Sequence, residues 1–177
     1  MPGTPEPLAA ISTMTSYDFV AFLDTVVLKK AMGRCHTLSV TAFTPDVVDG
    51  LAEAAETCPS EGLMGGIYMH IVRADNPSCS AEVPDSVLPY RRPHMMLELL
   101  GFGKDPEAGE ITAQWALNTR NRLADCKETV ENTYLPLTAP EFLDLNKVYG
   151  DNLAALKEIK ADVDPDNVFK HSVPNLV

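Results

Sequence analysis

Residues 36–43, with the sequence HTLSVTAF, alternate polar and apolar side chains and predict a β-strand with one apolar face. The apolar side has Leu38, Val40 and Ala42, and the polar side has Thr37, Ser39 and Thr41. Residues 66–73 alternate in the same way, and residues 94–102 predict a third strand. Because a sheet with one apolar face needs helices on that face only, these strands decide the fold class.

Helical signals surround the predicted strands. Apolar spacing and capping residues predict helices over 17–32 with Ser16 as N-cap, from Pro45 to before Pro59, from 105–106 to about 121 or beyond, and over 140–148 and 151–163. Residues 130–137 predict a short strand that Pro136 interrupts. We therefore predict an α+β domain over 16–177, an antiparallel or mixed sheet with helices mainly on one face, after a flexible leader over 1–15.

The charge of the chain argues against a polyanionic partner. The chain has 14 Lys and Arg residues and 25 Asp and Glu residues, so its formal net charge is −11. Such a surface repels phosphate backbones, so we expect no nucleic-acid partner. No apolar run approaches the roughly 20 residues that span a bilayer, and the N-terminus lacks the pattern of a signal peptide. The sequence therefore predicts a cytoplasmic protein with no membrane partner.

Known cofactor and metal motifs are missing from the sequence. The four cysteines, at positions 35, 58, 79 and 126, have no C-x-x-C spacing, so we expect reduced thiols and no metal site. Glycine-rich phosphate loops and the G-x-S-x-G and H-E-x-x-H motifs do not occur. The sequence thus predicts that the protein works without a cofactor.

The polar face of the predicted sheet has an unusual composition. It collects Thr37, Ser39, Thr41, Tyr68, His70, His94, Met96 and Glu98. One interpretation is a solvated outer face, which is the usual reason for polar alternation. The other is the floor of a ligand pocket. Tyr, His and Met in place of long cations favour the pocket, since such side chains are typical of amphipathic ligand sites.

Three residues of this face are suited to proton transfer. Glu98 has apolar sequence neighbours, and a partly desolvated carboxyl group can act as general acid or base. His70 and His94 could each be a base or a hydrogen-bonded structural residue. Arg91, in the Arg91-Arg92-Pro93 segment, could hold a carboxylate or lie on the surface of a loop.

The C-terminal residues 148–169, VYGDNLAALKEIKADVDPDNVF, resemble the closing signature of the berberine-bridge-enzyme-like FAD-linked oxidases. The match consists of a Tyr-Gly pair, an Asn, a Leu, a Lys and the final Asp-Pro-x-Asn-x-Phe. The resemblance extends over residues 36–177 and implies the substrate domain of that family. It also implies that Glu98 falls where relatives place a Gln or Glu facing the flavin, the position of the catalytic base in the name-giving enzyme.

The sequence differs from this family in two features that oxidase activity depends on. The large FAD-binding domain has no counterpart in the 177 residues, and no His or Cys motif for flavin attachment occurs in the leader. Where the family has Tyr-x-Asn-Tyr, this chain has the sequence YLPL at 134–137, which keeps only Tyr134.

Our leading hypothesis is a flavin-free, cofactor-independent isomerase or cyclase, such as a pericyclic catalyst, that acts on a hydrophobic secondary metabolite in natural product biosynthesis. Proton transfer is assigned to Glu98, His70 and His94, and substrate binding to Tyr68, Tyr134, Arg91, Met96, Ser39 and Thr41. The alternatives are a non-catalytic metabolite-binding protein and one half of a split FAD-linked oxidase.

A substrate domain without its flavin partner would expose its sheet, so we also expect a homodimer, with the N-terminal helix as a second candidate to cover that surface.

Overall fold

The computed structural model describes residues 13–26, 30–60, 62–73, 92–130, 134–138, 140–171, 174 and 176. The chain forms two units, one up to Lys30 and one from Ala31 onward. In the first unit, helix α1 extends over Ser16–Val26. Its N-cap is Thr15, whose hydroxyl oxygen accepts the backbone N–H of Asp18 at 3.1 Å, so the prediction of Ser16 as N-cap was wrong. Met32, the predicted end of this helix, already belongs to the first strand.

The second unit contains a four-stranded antiparallel sheet. The strands are β1 (Met32–Val40), β2 (Gly62–Val72), β3 (His94–Gly103) and β4 (Thr129–Val130), in the spatial order β2-β3-β1-β4. Helices α2 (Pro45–Thr57) and α3 (Pro106–Ala124) connect β1 to β2 and β3 to β4. This β-α-β-β-α-β order is the split β-α-β arrangement of ferredoxin-like folds. The prediction of an α+β fold with helices on one face is confirmed.

The apolar phases of the strands build the core against α2 and α3. The core comprises Leu38, Val40, Val47, Ala54, Leu97, Leu99, Trp115, Ala116, Leu123 and Cys126. Trp115 also joins the two helices, because its indole Nε1–H donates to the backbone carbonyl of Ala54 at 3.0 Å. The period-two pattern of β1 and β3 therefore assigns one face to the core and the other to the site described below.

Close contact between α3 and the sheet depends on glycine. A Cβ atom built on Gly101 would lie 2.3 Å from the backbone carbonyl oxygen of Thr112, and one on Gly103 would lie 2.4 Å from backbone atoms of α3. At the start of β1, Gly33 has a φ of 150° and lies directly opposite Phe102 in the register. Gly101 and Gly103 let the helix backbone lie directly on β3, and Gly33 lets β1 lie close to β3.

The chain after β4 departs from the predicted strand. Only Thr129–Val130 pair with β1, and Leu135–Leu137 form a 3-10 turn, while 131–133 lie outside the described residues. Pro136 lacks the N–H that a strand ladder needs and fits the first turn of a helix instead. The turn is closed by the hydroxyl of Thr138, which donates to the carbonyl of Tyr134 at 2.8 Å.

The C-terminal region forms several short helices. The predicted helix over 140–148 is divided into a 3-10 turn, Pro140–Phe142, and α4, Leu145–Tyr149, because the side chain of Asp144 caps α4 by accepting the N–H of Asn146 at 2.9 Å. Helix α5 extends over Asn152–Val163.

Residues Thr138 and Pro140–Phe142, which we call the strap, contact the N-terminal part of β1. The Thr37 and Thr138 hydroxyl oxygens are 2.9 Å apart, and the ring of Phe142 meets the ring of His36 edge-on at 4.9 Å. An ion pair of 3.3 Å joins Arg34 to Glu141. The strap therefore protects the part of β1 that β4 leaves unpaired.

We expect Gly101→Ala to lower the free energy of unfolding by about 1–3 kcal/mol, because the added methyl group collides with the backbone of α3. Urea unfolding followed by circular dichroism measures this change. Gly66→Ala on β2 is the matched control, since the nearest atom to its added Cβ would be 3.7 Å away. Equal losses of stability in the two variants would contradict the close-contact explanation.

Candidate functional site

The strand register places the predicted polar residues on one face, opposite the helices. Thr37 of β1 lies opposite Glu98 of β3, which in turn lies opposite Tyr68 of β2. In the next row of the same face, Ser39, Met96 and His70 are neighbours across the three strands, and His94 lies opposite Val72. We call this surface the open face. Residues predicted from three separate stretches of sequence thus lie side by side.

A cleft with a volume of about 370 Å³ lies on the open face. Its lining consists of His70, Val72, His94, Met96 and Glu98 from the sheet and Tyr134, Pro136 and Leu137 from the 3-10 turn. Such a volume is within the range of small-molecule sites. The cleft has a polar floor and a mostly apolar wall, and none of the described side chains that line it is Lys or Arg.

His70 and Glu98 form a direct pair in the cleft. The imidazole Nε2 is 2.7 Å from the carboxylate Oε1, and the side chains are 54% and 17% exposed. The carboxylate accepts the Nε2–H and leaves the rest of the imidazole ring accessible to a ligand. Orientation of a histidine by a carboxylate is the arrangement used for general acid and base groups.

His94 is held in a defined tautomer. Its Nδ1 is 2.8 Å from the backbone carbonyl oxygen of Arg92. Because a carbonyl can only accept, Nδ1 must have the hydrogen, and the lone pair of the neutral ring is then on Nε2. The cleft therefore contains two histidines with different hydrogen-bonding states, one paired with a carboxylate and one with a carbonyl.

The remaining predicted site residues lie outside the cleft lining or outside the described part of the chain. Tyr68 is 55% exposed and lies on the open face beside Glu98, outside the cleft lining. Ser39 is buried, and among the described residues its hydroxyl oxygen has no hydrogen-bond partner. Thr41 follows the end of β1, and its hydroxyl donates to the carbonyl of Glu128 at 3.2 Å, away from the cleft. Arg91 lies outside the described residues.

Sequence reasoning missed Val72, Pro136 and Leu137 as cleft residues. The prediction of a strand over 130–137 concealed the fact that the 3-10 turn forms a wall of the cleft. Tyr134 is the one residue of this segment that matches the oxidase pattern, and it was the sequence signal that could have placed the segment in the cleft.

Cys35 also belongs to the open face, next to the cleft. Burial, assisted by the negative charge of Glu98, raises the pKa of this thiol to about 11. A protonated thiol is a poor nucleophile, so Cys35 is not suited to nucleophilic chemistry here.

Two features are absent from the described residues. These residues contain no group of three or more His, Cys, Asp or Glu side chains that could hold a metal ion. Within the same part of the chain, no helix combines the length and the apolar character that crossing a bilayer requires.

The C-terminal signature has a structural explanation in Asp164. Its carboxylate accepts the backbone N–H groups of Val168 at 2.7 Å and Phe169 at 3.2 Å, and it binds the ammonium group of Lys160. Asn167 has a φ of 48°, in the left-handed region that Asn tolerates better than most residues. Lys, Asp and Asn are therefore the residue types that this turn requires.

Comparisons with known proteins agree with this geometry. The family model described as "Berberine and berberine like" matches residues 143–174. The FAD-linked oxidoreductase aurO of Gibberella zeae is 24% identical over 160 residues, which cover 90% of this chain and 31% of aurO. The chain thus spans about a third of the length of this curated relative. The resemblance to berberine-bridge-enzyme-like FAD-linked oxidases is confirmed.

The Asp164 turn should make the stability of the protein depend on pH. The Lys160 ammonium group and the backbone N–H groups lower the pKa of the Asp164 carboxyl. Its stabilising contribution is therefore complete above the unfolded-state pKa of about 3.9 and disappears as pH falls through the lower, folded-state value. Asp164→Asn should be less stable than wild type at pH 6, and the difference should shrink below about pH 4.

Urea unfolding of wild type and Asp164→Asn at several pH values between 6 and 2.5 measures this difference. A difference in unfolding free energy that stays constant over this interval would contradict the assignment.

Proposed function

We propose that this chain is a proton-transfer catalyst, an isomerase or cyclase that acts on a hydrophobic secondary metabolite in the open-face cleft and needs no cofactor. The observation that supports it most directly is the His70–Glu98 pair at 2.7 Å beside His94 in a partly apolar cleft. Isomerisation and ring closure can proceed by moving protons within one molecule. They require one base, one acid and a site that fixes the substrate.

Different tasks suit the two histidines. His94, whose Nδ1 is held by the Arg92 carbonyl, is assigned to accept a proton from a carbon or hydroxyl next to a carbonyl group of the substrate. His70, oriented by the Glu98 carboxylate, is assigned to donate a proton to the substrate atom that gains electron density. One proton leaves the substrate and one returns to it, so the product is an isomer and no oxidant is consumed.

The other predicted residues bind and orient the substrate in this proposal. The Tyr134 hydroxyl is a hydrogen-bond donor on the wall opposite the sheet, and Met96 provides apolar contact on the floor. Tyr68, beside Glu98 on the open face, and Arg91, outside the described residues, are assigned to polarising the carbonyl group, whereas Ser39 and Thr41 lie outside the cleft lining and have no role in this proposal. The absence of Lys and Arg from the described lining favours a neutral substrate over a carboxylate or a phosphate.

The comparisons favour a second candidate function, the substrate-binding half of a FAD-linked oxidase. The relative aurO is an FAD-linked oxidoreductase, and this chain matches only about a third of its length. The cleft does not fit the FAD pyrophosphate, since its described lining offers no cationic side chain. In this candidate, a separate protein binds the FAD and the open face binds the substrate.

Incubation of the purified chain with metabolite extracts of its source, followed by mass spectrometry, tests these functions. The isomerase or cyclase consumes one metabolite and yields a product of the same mass. Oxidation would yield a product two hydrogens lighter and would require added flavoprotein. Tight binding with no product would identify a carrier and overturn the catalytic proposal.

For the isomerase, we expect Glu98→Gln to lower the turnover rate by about 10²- to 10⁴-fold, the usual contribution of a general acid or base. His94→Gln should have an effect of the same order. Glu56→Gln, at an exposed position of α2 outside the cleft lining, is the matched control and should retain the wild-type rate. Unchanged rates in both cleft variants would exclude the proposed roles.

A further inference from the structure

The two edges of the sheet differ in how they are protected. On the β1 side, β4 and the strap cover the edge through the Arg34–Glu141 and Thr37–Thr138 contacts. On the other side, β2 is the last strand, and no strand in the described part of the chain pairs with its outer edge. Within the described residues, the outward-facing backbone groups of β2 therefore have no strand partner.

The sequence of β2 lacks the usual features that keep an edge strand from pairing. Residues 62–72, GLMGGIYMHIV, contain no Asp, Glu, Lys, Arg or Pro. Tyr68, Met69 and Ile71 are 55%, 46% and 63% exposed, so apolar side chains reach solvent on both faces of this strand. Soluble proteins generally protect long edge strands with charges, prolines or bulges, and here the only irregularity is a register shift near Gly62.

We propose that β2 pairs with β2 of a second copy of this chain, antiparallel and across a two-fold axis. Each chain has a formal net charge of −11, so association requires a surface where no ionised groups oppose each other. Because β2 contains no Asp, Glu, Lys or Arg, it offers such a surface, and two identical strands can pair through their backbone groups in an isologous contact. A charged partner, in contrast, would find no complementary group on this strand.

This pairing would have a defined geometry. A two-fold axis that relates antiparallel neighbouring strands is perpendicular to the sheet, so both copies present the open face on the same side. The result is a continuous sheet of eight strands with the helices α2 and α3 of both copies on the opposite side. Because His70 and Val72 of β2 line the cleft, the second copy would border each cleft. The sequence analysis expected a dimer through the open face, and this proposal places the contact at the edge instead.

Sedimentation velocity of the full chain over a concentration series tests the proposal, with Met69→Lys and Ile71→Lys as variants. Both residues face away from the cleft, and a lysine at either position would place a charged group within the proposed strand pair. We expect a wild-type dimer at micromolar concentration and at least a tenfold higher dimer Kd in each variant. Val163→Lys on α5, where Val163 is 71% exposed, is the control and should leave the Kd unchanged.

Adding lysine reduces the net negative charge, so loss of the dimer in the variants cannot come from stronger overall repulsion. A second measurement uses wild-type protein alone, in case a variant does not fold. Amide hydrogen exchange in peptides that contain β2 should slow as protein concentration increases. A monomeric wild type at high micromolar concentration, dimers that persist in both lysine variants, or exchange in β2 that is independent of concentration would overturn the proposal.

Discussion

The close contact between α3 and β3 is the constraint on which the rest of this structure depends. Because Gly101 and Gly103 have no side chains, the backbone of α3 lies directly on the strand, and Trp115 then reaches the carbonyl of Ala54 on α2. Both helices are thereby fixed on one face of the sheet. The opposite face is left to the polar phase of the strands, and this is where the cleft forms.

Alternation along the strands was sufficient to predict which residues share a face. The period of two is a local property, and for β1, β2 and β3 it assigned Thr37, His70 and Glu98 to one side. The order of the strands was not predictable in this way, because pairing joins segments that are distant in the sequence. The 2.7 Å contact between His70 and Glu98 depends on that order. The sequence therefore predicted both residues as site residues but did not predict that they contact each other.

The sequence was less informative after β4. Apolar residues of 130–137 favoured a strand, yet Pro136 and the Thr138 hydroxyl stabilise a 3-10 turn at 135–137. Competition between a short apolar run and one proline is hard to decide from local pattern alone. The C-terminal signature was easier to interpret, since the roles of Asp164 and Asn167 in the turn depend on neighbours only a few positions away.

The hydrogen bond between Thr37 and Thr138 reduces the hydrogen-bonding groups that the open face offers to a ligand. Thr138 donates its hydroxyl hydrogen to the Tyr134 carbonyl, so it can only accept from Thr37, and the Thr37 hydrogen is used within the protein. The Thr37 side chain, on the polar side of β1, therefore anchors the segment that follows the wall of the cleft. The hydrogen-bonding side chains in the described cleft lining are therefore His70, His94, Glu98 and Tyr134, and the Thr37 hydroxyl hydrogen next to them is not available to a bound molecule.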